Sequence, residues 1–472
     1  MSFVLIFYGE DADTETDDTG EEAAAKEPEG VDNAKAEDAA APAMETELIV
    51  VSEQPLADDA EATVVESLDA ALSHAATLDR LAEIELRFDG LRVLRPLSIK
   101  TDEIPENRVT IRAASGFSPV LAFHSPIASP DSTNPNSMIH VLGGQVTWQG
   151  VHFYMALPEG AGASLNQSLL RLDATDRVEF RECTFTIRNL DPEGAETGAR
   201  IAFVDVVGPG EFGGLMFDND PSTVEAPTIW LENCIARGQA PFIRSDFAVP
   251  FSFSWEHGLF ISTRQLIEVG GTIVEPRWEH GHVNVFLSRL LSAADQGICL
   301  VRSDQFAPYQ LGVSVQCNYC LFATENTTPE VPLYVIRTES AFSPTAIPLE
   351  IQGERNYYKN TKMVVRVETN SDREVIEQYS FDDLTGPDSP NWFSEKSPVP
   401  GAIFSWNMPA ESVDRQSLRD YVPSNSRDTW FSRALTLDPS QLPEFPEISD
   451  IPLRTPDDAA FSADLPRAAE IQ

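Results

Sequence analysis

The stretch Val146-Thr147-Trp148-Gln149-Gly150-Val151-His152-Phe153 decides the fold, because apolar or small residues occupy its positions 1, 3, 6 and 8. Two alternating pairs separated by a two-residue corner are typical of a β-strand that bends and then continues. The same spacing recurs tens of residues apart, which indicates a repeated structural unit. Further copies are Val178–Phe185, Ile229–Ala236, Val315–Phe322 and, with polar substitutions, Ile351–Tyr358.

Repeated bent strands predict a parallel β-helix. The other strand candidates are short and rich in Val, Ile and Phe, and long helical patterns are missing among them, so an all-β fold is favoured over α/β. The intervals between copies are uneven, at 32, 51, 86 and 36 residues counted from Val146 to Ile351. Coils must therefore carry insertions, or some coils must lack the spacing. Because this architecture serves enzymes, adhesins and scaffolds, the fold alone leaves the function open.

Composition divides the 472-residue chain into five segments. They are a disordered acidic tail (1–63), a capping helix (64–82), a parallel β-helix (83–385), a C-terminal cap (386–435) and an extended or disordered tail (436–472). The first segment is rich in Ala, Glu and Asp and poor in aromatic residues, so it cannot bury enough apolar surface to offset chain entropy. The helix would cover the open end of the solenoid, where a terminal strand exposes an apolar edge.

The formal net charge is −42, and residues 1–66 hold 20 acidic residues against two lysines. This excess of carboxylates repels phosphate backbones and anionic headgroups, so nucleic acid is excluded as a partner. The apolar run Ser2–Tyr8 is too short to span a bilayer and lacks the features of a signal peptide, so the chain as written is predicted to be soluble. The alternative is that this run ends a membrane helix beginning upstream, which would place the protein at the cell envelope.

The five cysteines are predicted to pack in the core. Cys183, Cys234 and Cys320 occupy position 6 of three copies, and equivalent positions stack on neighbouring coils. Cys317 and Cys320 form a C-x-x-C, but no second pair or nearby His completes four zinc ligands. A column of buried thiols is therefore favoured over a metal or redox site.

The tetrapeptide Trp255–Gly258 recurs as Trp278–Gly281, 23 residues later. This interval is close to a full coil, so the two Glu-His pairs could lie on adjacent coils about 4.8 Å apart. Such a cluster could act as general acid and base, or could bind a divalent metal together with His282. The alternative is structural, with the tryptophans stacked inside and Glu and His at a turn before glycine. The candidate catalytic residues are Glu256, His257, Glu279 and His280; no cofactor is predicted, and calcium is the alternative.

A second repeated motif places an arginine beside a hydroxyl side chain and an acidic side chain at the ends of three predicted strands. Its copies are Ile243–Asp246, Val301–Asp304 and Ile336–Glu339. Stacked on one face, these arginines could bind an anionic sugar. Alternatively, Arg and Asp of neighbouring coils form a ladder of ion pairs, each contributing about 0.2 to 1 kcal/mol. The candidate ligand-binding residues are Arg244, Asp246, Arg302, Asp304 and Arg337.

Other motifs indicate structure rather than chemistry. Gly208–Gly213 satisfies G-x-G-x-x-G, but no helix pattern follows it to hold a phosphate. The pair Asp382-Asp383 lies beyond the repeats near prolines and is predicted to be a solvated turn. The G-x-S-x-G, H-E-x-x-H and Walker A motifs are absent from the sequence.

The coils Val146–Phe153 and Val178–Phe185 resemble right-handed parallel β-helix proteins of the pectin-lyase-like type. More narrowly, Ile84–Gly90, Val109–Val120 and Trp255–Leu259 resemble an uncharacterised β-helix region of planctomycete proteins. In that family the region often follows a serine/threonine kinase domain and a membrane helix. The resemblance covers about residues 80–410 and implies a sensor or scaffold. The sequence has neither a Gly-rich loop with its Lys nor an H-R-D motif, so kinase activity is not predicted.

These observations favour a non-catalytic binding, scaffold or sensor protein whose ligand is a polysaccharide or a protein. The alternative is a polysaccharide lyase or glycoside hydrolase acting on an acidic or neutral polysaccharide. The resemblance implies that such enzymes carry Asn-Thr-Asp, Asp-Asp and Gly-His-Gly motifs or calcium-binding acids, and none of these stands at a matching position. Convergence of Glu256, Glu279 and His280 around a space of about 5 to 9.5 Å would favour the enzyme.

Overall fold

The structure is a computed structural model. It describes residues 45–52, 62–124, 137–157, 162–189, 196–207, 226–276, 282–323, 331–339, 348–359, 361 and 363–400. These residues form the predicted parallel β-helix, because the strands of each coil pair in parallel with the equivalent strands of the next. Three stacks of strands result, which we call ladders 1, 2 and 3. Ladders 1 and 2 form one sheet of 19 strands, and ladder 3 belongs to a second sheet of 11 strands.

Ladders 1 and 2 consist of strands that stack in chain order, with the following residue ranges. Ladder 1 contains β1 (Thr46–Val51), β3 (Leu81–Leu86), β6 (Arg108–Ala113), β9 (Gln145–Gln149), β12 (Arg177–Arg181), β15 (Thr228–Gly238), β17 (Phe251–Ser262), β19 (His282–Ala294), β22 (Gly312–Asn318), β25 (Leu349–Glu354) and β29 (Phe393–Lys396). Ladder 2 contains β4 (Gly90–Leu94), β7 (Pro119–His124), β10 (His152–Ala156), β13 (Thr184–Arg188), the second halves of β15, β17 and β19, β23 (Leu321–Ala323), β26 (Tyr357–Lys359) and β30 (Val399–Pro400).

Ladder 3 contains β5 (Leu97–Lys100), β8 (Ser137–Leu142), β11 (Asn166–Asp173), β14 (Arg200–Val207), β16 (Ile243–Phe247), β18 (Ile267–Thr272), β20 (Cys299–Arg302), β24 (Tyr334–Thr338) and β27 (Met363–Thr369). Three short strands pair at its margins or at the first coil: β2 (Thr63–Val65) with β1, β21 (Tyr309–Gln310) with β18, and β28 (Val375–Ser380) with β27. The helical elements are α1 (Leu68–Ala75), α2 (Phe381–Thr385) and 3-10 turns at Thr101–Glu103 and Pro105–Asn107.

The 1-3-6-8 spacing marks the register of ladders 1 and 2. Position 1 of one copy opposes position 1 of the next, as Val178 opposes Ile229. The 86-residue interval from Ile229 to Val315 contains two further coils, whose first core positions are Phe253 and Val285. Neither coil is among the predicted copies, although both fit the spacing when glycine at position 6 of the first and serine at position 8 of the second are counted as small residues. The predicted repeat is therefore confirmed, and its longest gap is filled.

The inward positions build one continuous core. Trp148 and Trp255 are fully buried, and the rings of Phe153 and Phe185 stack on adjacent coils with centroids 5.1 Å apart. Burial of each such side chain contributes about 1.5 to 3 kcal/mol. All five cysteines are free and buried, and burial raises the pKa of Cys299 to about 12. This confirms that the thiols pack in the core.

From β9 onward, each corner between ladders 1 and 2 turns on the residue at position 5, whose φ lies between 52° and 66°. An L-residue in this left-handed region costs about 1 kcal/mol or more unless it is glycine. Only the first corner of the series has glycine. The series consists of Gly150, Glu182, Asn233, His257, Arg289, Tyr319, Arg355 and Ser397.

We expect Glu182→Gly to raise the free energy of unfolding by about 0.5 to 1 kcal/mol, because glycine adopts φ near 55° without strain. Asn233→Gly is the matched control, since asparagine tolerates this conformation better and the gain should be smaller. Urea unfolding followed by tryptophan fluorescence measures both. A destabilised Glu182→Gly variant would show that the corner is not strained.

The predicted capping helix is present as α1, which is shorter than 64–82 because β2 and β3 take up its ends. Ser67 caps the helix by accepting from the amide of Ala70 at 3.2 Å, and Leu68, Ala71, Leu72 and Ala75 pack into the core. The predicted tail is too long at its C-terminal side, since Thr46–Val51 forms β1. The prediction missed this strand because its apolar residues, Leu48–Val51, are few within the strongly acidic segment 1–63. Residues 1–44 lie outside the described residues.

The solenoid also continues beyond the predicted boundary at residue 385, because β29 pairs with β25 and β30 pairs with β26. The predicted solvated turn at Asp382-Asp383 is instead the first turn of α2. There Asp383 and Ser380 form a capping box. The rest of the predicted cap, 401–435, and the predicted tail, 436–472, lie outside the described residues.

The outer faces of the three ladders differ. The outward side chains of ladder 2, such as Ile235, Leu259 and Tyr357, are buried. Those of ladder 3 are rich in charge, and those of ladder 1 are half-exposed and mostly polar. Neither α1 nor α2 is long and apolar enough to cross a membrane, and the described residues hold no other α-helix.

Candidate functional site

The tetrapeptide Trp255–Gly258 is a corner of the solenoid. Trp255 points inward, Glu256 points outward, and His257 is the left-handed corner residue with φ of 52°. Gly258 is required because a Cβ there would lie 1.9 Å from the indole nitrogen of Trp255. The structural interpretation of this tetrapeptide is therefore confirmed for its first copy.

The two copies do not oppose each other. Glu256 opposes Glu232 on one side and Ser288 on the other. The expectation that the copies stack on adjacent coils is thus wrong, because the next coil places Leu287 rather than Trp278 opposite Trp255. Variable coil lengths explain the error, since an interval of 23 residues does not guarantee one turn of the solenoid. Glu279 and His280 lie outside the described residues.

His257 contacts the next corner rather than a carboxylate. Its Nε2 lies 3.0 Å from Nη1 of Arg289. A guanidinium only donates, so the imidazole accepts at Nε2 in this pairing. His282 opens β19 opposite Gly312. Within the described ranges, no three His, Cys, Asp or Glu side chains are grouped so that they could hold a metal ion.

Arg244 is the most buried of the candidate ligand-binding residues, with 1% exposure. Its Nη2 and Nε donate to the two carboxylate oxygens of Asp205 at 3.2 and 3.3 Å. Nη1 also donates to the carbonyl of Arg200 at 3.0 Å, and Nη2 donates to the carbonyl of Gln167 at 3.4 Å. The guanidinium is therefore satisfied by the protein and does not face solvent, where a sugar would bind.

Asp246 and Arg302 extend the same network. Asp246 Oδ1 lies 2.6 Å from Arg302 Nη2 and is also paired with Arg200, and Arg302 Nε lies 3.0 Å from Glu268 Oε1. Burial alone would raise the pKa of Asp246, but the guanidinium groups of Arg244, Arg200 and Arg302 hold it below its ordinary value. These contacts favour the ion-pair ladder over an anionic-sugar site.

Arg337 and Asp304 have local partners of their own. Arg337 Nε binds Glu368 Oε1 at 2.6 Å. Asp304 Oδ1 accepts from the amides of Phe306 and Ala307 at 2.8 and 2.9 Å, which closes a turn. The structure therefore joins Arg244, Asp246 and Arg302 in one network and leaves these two side chains in separate structural roles.

The outer face of ladder 1 holds a feature that no sequence motif reveals. Trp230, Ser254 and Phe286 occupy one outward position on β15, β17 and β19 and oppose one another in register. Both aromatic side chains are half-buried. Neighbouring strands lie about 4.8 Å apart, so the two rings stand about 9.6 Å apart along the solenoid. We call Trp230, Ser254 and Phe286 the aromatic row.

The two neighbours of Trp230 on the adjacent strands differ in size and charge. The guanidinium carbon of Arg181, on β12, lies 5.0 Å from the Trp230 ring centroid. The strand β17 lies on the opposite side of β15 from β12, and its small Ser254 faces the other side of that ring. Arg181 is itself paired with Glu179 at 3.1 Å. The small Ser254 therefore lies between two half-buried aromatic side chains on the outer face of ladder 1.

Uncharged hydrogen-bonding side chains surround much of the aromatic row. They include Ser252, Asn284 and Ser314 at the outward position before the row, and Gln316 and Gln352 in line with it. On the remaining side, Glu232 and Glu256 oppose each other on adjacent strands, and both are half-buried. Among the described residues, neither carboxylate has an ion-pair partner or a side-chain hydrogen bond. The face therefore combines aromatic rings, amides, hydroxyls and two carboxylates.

The comparisons with known proteins find remote similarity to solved structures. No protein-family model and no curated protein matches the chain. Among solved structures, pectin methylesterase PemA from Erwinia chrysanthemi is 12% identical, with a TM-score of 0.34 over 76% of this chain and 90% of that chain. Escherichia coli YbhC is 12% identical, with a TM-score of 0.36 over 80% and 88%.

A pectin methylesterase in complex with a hexasaccharide is 11% identical, with a TM-score of 0.36 over 84% of this chain and 100% of that chain. Similarity at this level does not extend to ligand or mechanism. The parallel β-helix itself rests on the strand register described above.

Proposed function

We propose that this protein is a non-catalytic polysaccharide-binding solenoid that holds a neutral glycan along the aromatic row. The observation that carries the proposal is the placement of Trp230 and Phe286 on alternate coils, with Ser254 between them. Their separation of about 9.6 Å is close to the length of two linked hexose units in an extended chain. Aromatic rings at this spacing would stack on alternate sugars, while amides and hydroxyls bind the sugar hydroxyl groups.

Charge favours a neutral glycan over a polyuronate. The chain carries a net charge of −42, and Glu232 and Glu256 border the aromatic row. The cation nearest the row, Arg181, is already engaged with Glu179 and Trp230. In ladder 3, carboxylates likewise pair with Arg200, Arg244, Arg302 and Arg337. An anionic sugar would therefore meet repulsion at this face, whereas a neutral sugar would not.

We expect Trp230→Ala and Phe286→Ala each to weaken glycan binding about three- to tenfold, because each removes one stacking platform. The double variant should lose more than either single variant. Binding is measured by affinity electrophoresis and calorimetry against a panel of neutral β-linked glucans, mannans and xylans, with polygalacturonate as the anionic comparison. Phe306→Ala is the matched control, since Phe306 is 74% exposed and lies between ladder 3 strands.

Oligosaccharide length provides a second test of the same proposal. Affinity should rise steeply once the oligosaccharide is long enough to reach both rings. Equal loss of binding in Phe306→Ala, or no glycan bound by the wild-type chain, would contradict the proposal. Tighter binding of polygalacturonate than of every neutral glycan would contradict its assignment to neutral sugars.

One observation supports a second candidate, a retaining glycoside hydrolase. Glu232 and Glu256 oppose each other on adjacent strands, and the strand spacing of about 4.8 Å allows their carboxylates to reach the separation of about 5 to 5.5 Å found in retaining enzymes. The same panel is therefore assayed for reducing ends. Turnover that is lost in Glu256→Gln while binding persists would establish the hydrolase. Binding without turnover supports the non-catalytic proposal.

A further inference from the structure

A separate cavity of about 710 Å³ lies near the C-terminal end of the described chain. Its walls come from β28, from α2 and from the segment that leads into β29. This volume falls within the range of about 300 to 1,000 Å³ that is typical of small-molecule sites. The cavity lies on elements other than β15, β17 and β19, so it is distinct from the aromatic row.

Two aromatic rings form one corner of the cavity. The rings of Tyr379 and Trp392 meet edge to face, with centroids 5.3 Å apart and an interplanar angle of 84°. Tyr379 Oη donates to Glu377 Oε2 at 2.8 Å, which fixes the ring in place. Trp392 also packs against Phe393, whose side chain belongs to the solenoid core. The corner is therefore an aromatic platform that is held by contacts with the core and by one hydrogen bond.

Carboxylates surround this platform. Asp382, Asp383 and Asp388 all line the cavity, and none of its lining residues is Lys, Arg or His. Asp383 is committed to the fold, because its Oδ2 accepts from the amide and the hydroxyl of Ser380, both at 2.7 Å. These hydrogen bonds lower the pKa of Asp383. Asp382 and Asp388 are exposed and come from different segments, so they can flank a ligand.

We infer that this cavity binds the protonated amine of a small organic molecule about the size of an amino sugar. An ammonium group is attracted both to the face of an aromatic ring and to carboxylates, and its organic body fills space beside the rings. A metal ion fits less well, since the described residues contain no group of three metal-binding side chains. A neutral sugar donates only uncharged hydroxyl hydrogen bonds to these carboxylates, and such bonds are weaker than the charge-assisted ones that an ammonium group donates.

Glucosamine and glucose are matched probes, because they differ by one amine in place of a hydroxyl. Calorimetry and NMR titration of the full chain at pH 6.5 in 0.15 M NaCl should show glucosamine binding at least tenfold more tightly than glucose. Asp382→Asn and Asp388→Asn should each weaken glucosamine binding about two- to fivefold, and the double variant should weaken it further. Asp102→Asn is the control, since it removes the same charge from an exposed site at the other end of the chain.

Equal binding of glucose and glucosamine would overturn the proposal, as would no binding of glucosamine. Equal weakening in Asp102→Asn would show that the amine merely associates with the net negative charge. Trp230→Ala should leave glucosamine binding unchanged. This variant separates the cavity from the aromatic row, so failure of the proposed glycan function would leave the cavity result standing.

Discussion

Arg244→Ala is expected to lower the free energy of unfolding by about 3 to 5 kcal/mol, because removing one partner of a buried ion pair leaves the other charge buried and unpaired. Arg244 is 1% exposed and Asp205 is 6% exposed. The guanidinium also binds the carbonyl groups of Arg200 and Gln167 from neighbouring coils. The variant therefore breaks contacts with two strands at once, and the effect exceeds that of an exposed pair.

Arg302→Ala is the matched comparison, since Arg302 also pairs with Asp246 but keeps 23% exposure of its side chain. Solvent screens this pair, so we expect a loss of about 1 kcal/mol or less. Urea unfolding at pH 7 measures both variants. A third variant, Arg244→Met with Asp205→Leu, should recover most of the loss, because apolar residues of similar volume replace the pair without leaving a charge.

A loss in Arg244→Ala no larger than in Arg302→Ala would contradict this account. It would mean that water or neighbouring side chains compensate Asp205 when its partner is removed. Failure of the double replacement to recover stability would instead show that the hydrogen bonds to the two carbonyl groups carry the effect.

The inward half of the fold is predictable because core positions obey a period that the sequence displays. Val178 and Ile229 oppose each other as the spacing predicts, although 51 residues separate them. Stacking equivalent side chains buries them on both sides, so only apolar or small residues are tolerated there. This physical constraint leaves a readable pattern even though insertions make the coils unequal in length.

Outward positions carry no such constraint, and the candidate site therefore could not be predicted. Trp230 and Phe286 align only when the intervening coil is recognised, and the predicted copies do not include that coil. Missing this coil also led to the incorrect prediction that Trp255 and Trp278 stack on adjacent coils. Unequal coil lengths mean that equal intervals in sequence do not give equal positions in space.

The polar substitutions in Ile351–Tyr358 mark another departure from the pattern. Asn356, at position 6, donates to the carbonyl of Cys317 at 2.7 Å and accepts from the amide of Cys320 at 2.8 Å. Its Nδ2 also lies 2.9 Å from Glu395 Oε1, and Tyr358 Oη donates to Glu395 Oε2 at 2.7 Å. These polar residues accommodate the carboxyl group of Glu395 at an inward position. Glu395 itself lies beyond the last copy of the spacing that the sequence shows.

Glu395 makes the stability of this end of the solenoid depend on pH. Burial raises its pKa to about 7, although the hydrogen bonds from Tyr358 and Asn356 lower it. Burial also raises the pKa values of the adjacent Cys317 and Tyr334, so these two groups stay neutral over the same range. In the unfolded chain Glu395 titrates near 4.5. The folded state thus holds this proton more tightly, and stability falls as pH rises from about 4.5 to about 7.

Glu395→Gln should remove this pH dependence, because the amide has a similar shape and does not ionise. Relative to the wild-type chain, the variant should gain roughly 2 to 3 kcal/mol of unfolding free energy between pH 4.5 and 8, since each unit of pKa shift corresponds to about 1.4 kcal/mol. Urea unfolding is measured from pH 5.5 to 8.5, above the sequence pI of about 4.3 where solubility is lowest. Over this narrower range the difference should grow up to about pH 7 and then stay constant.

The exposed Glu66→Gln is the control, because it removes one carboxyl group from a solvent-exposed position. A constant difference for Glu395→Gln would show that the carboxyl is already ionised at pH 5.5. The hydrogen bonds from Tyr358 and Asn356 would then outweigh burial, because both donors stabilise the charged form. A difference that grows with pH would instead establish that the polar residues in the last coils hold a neutral carboxylic acid inside the solenoid.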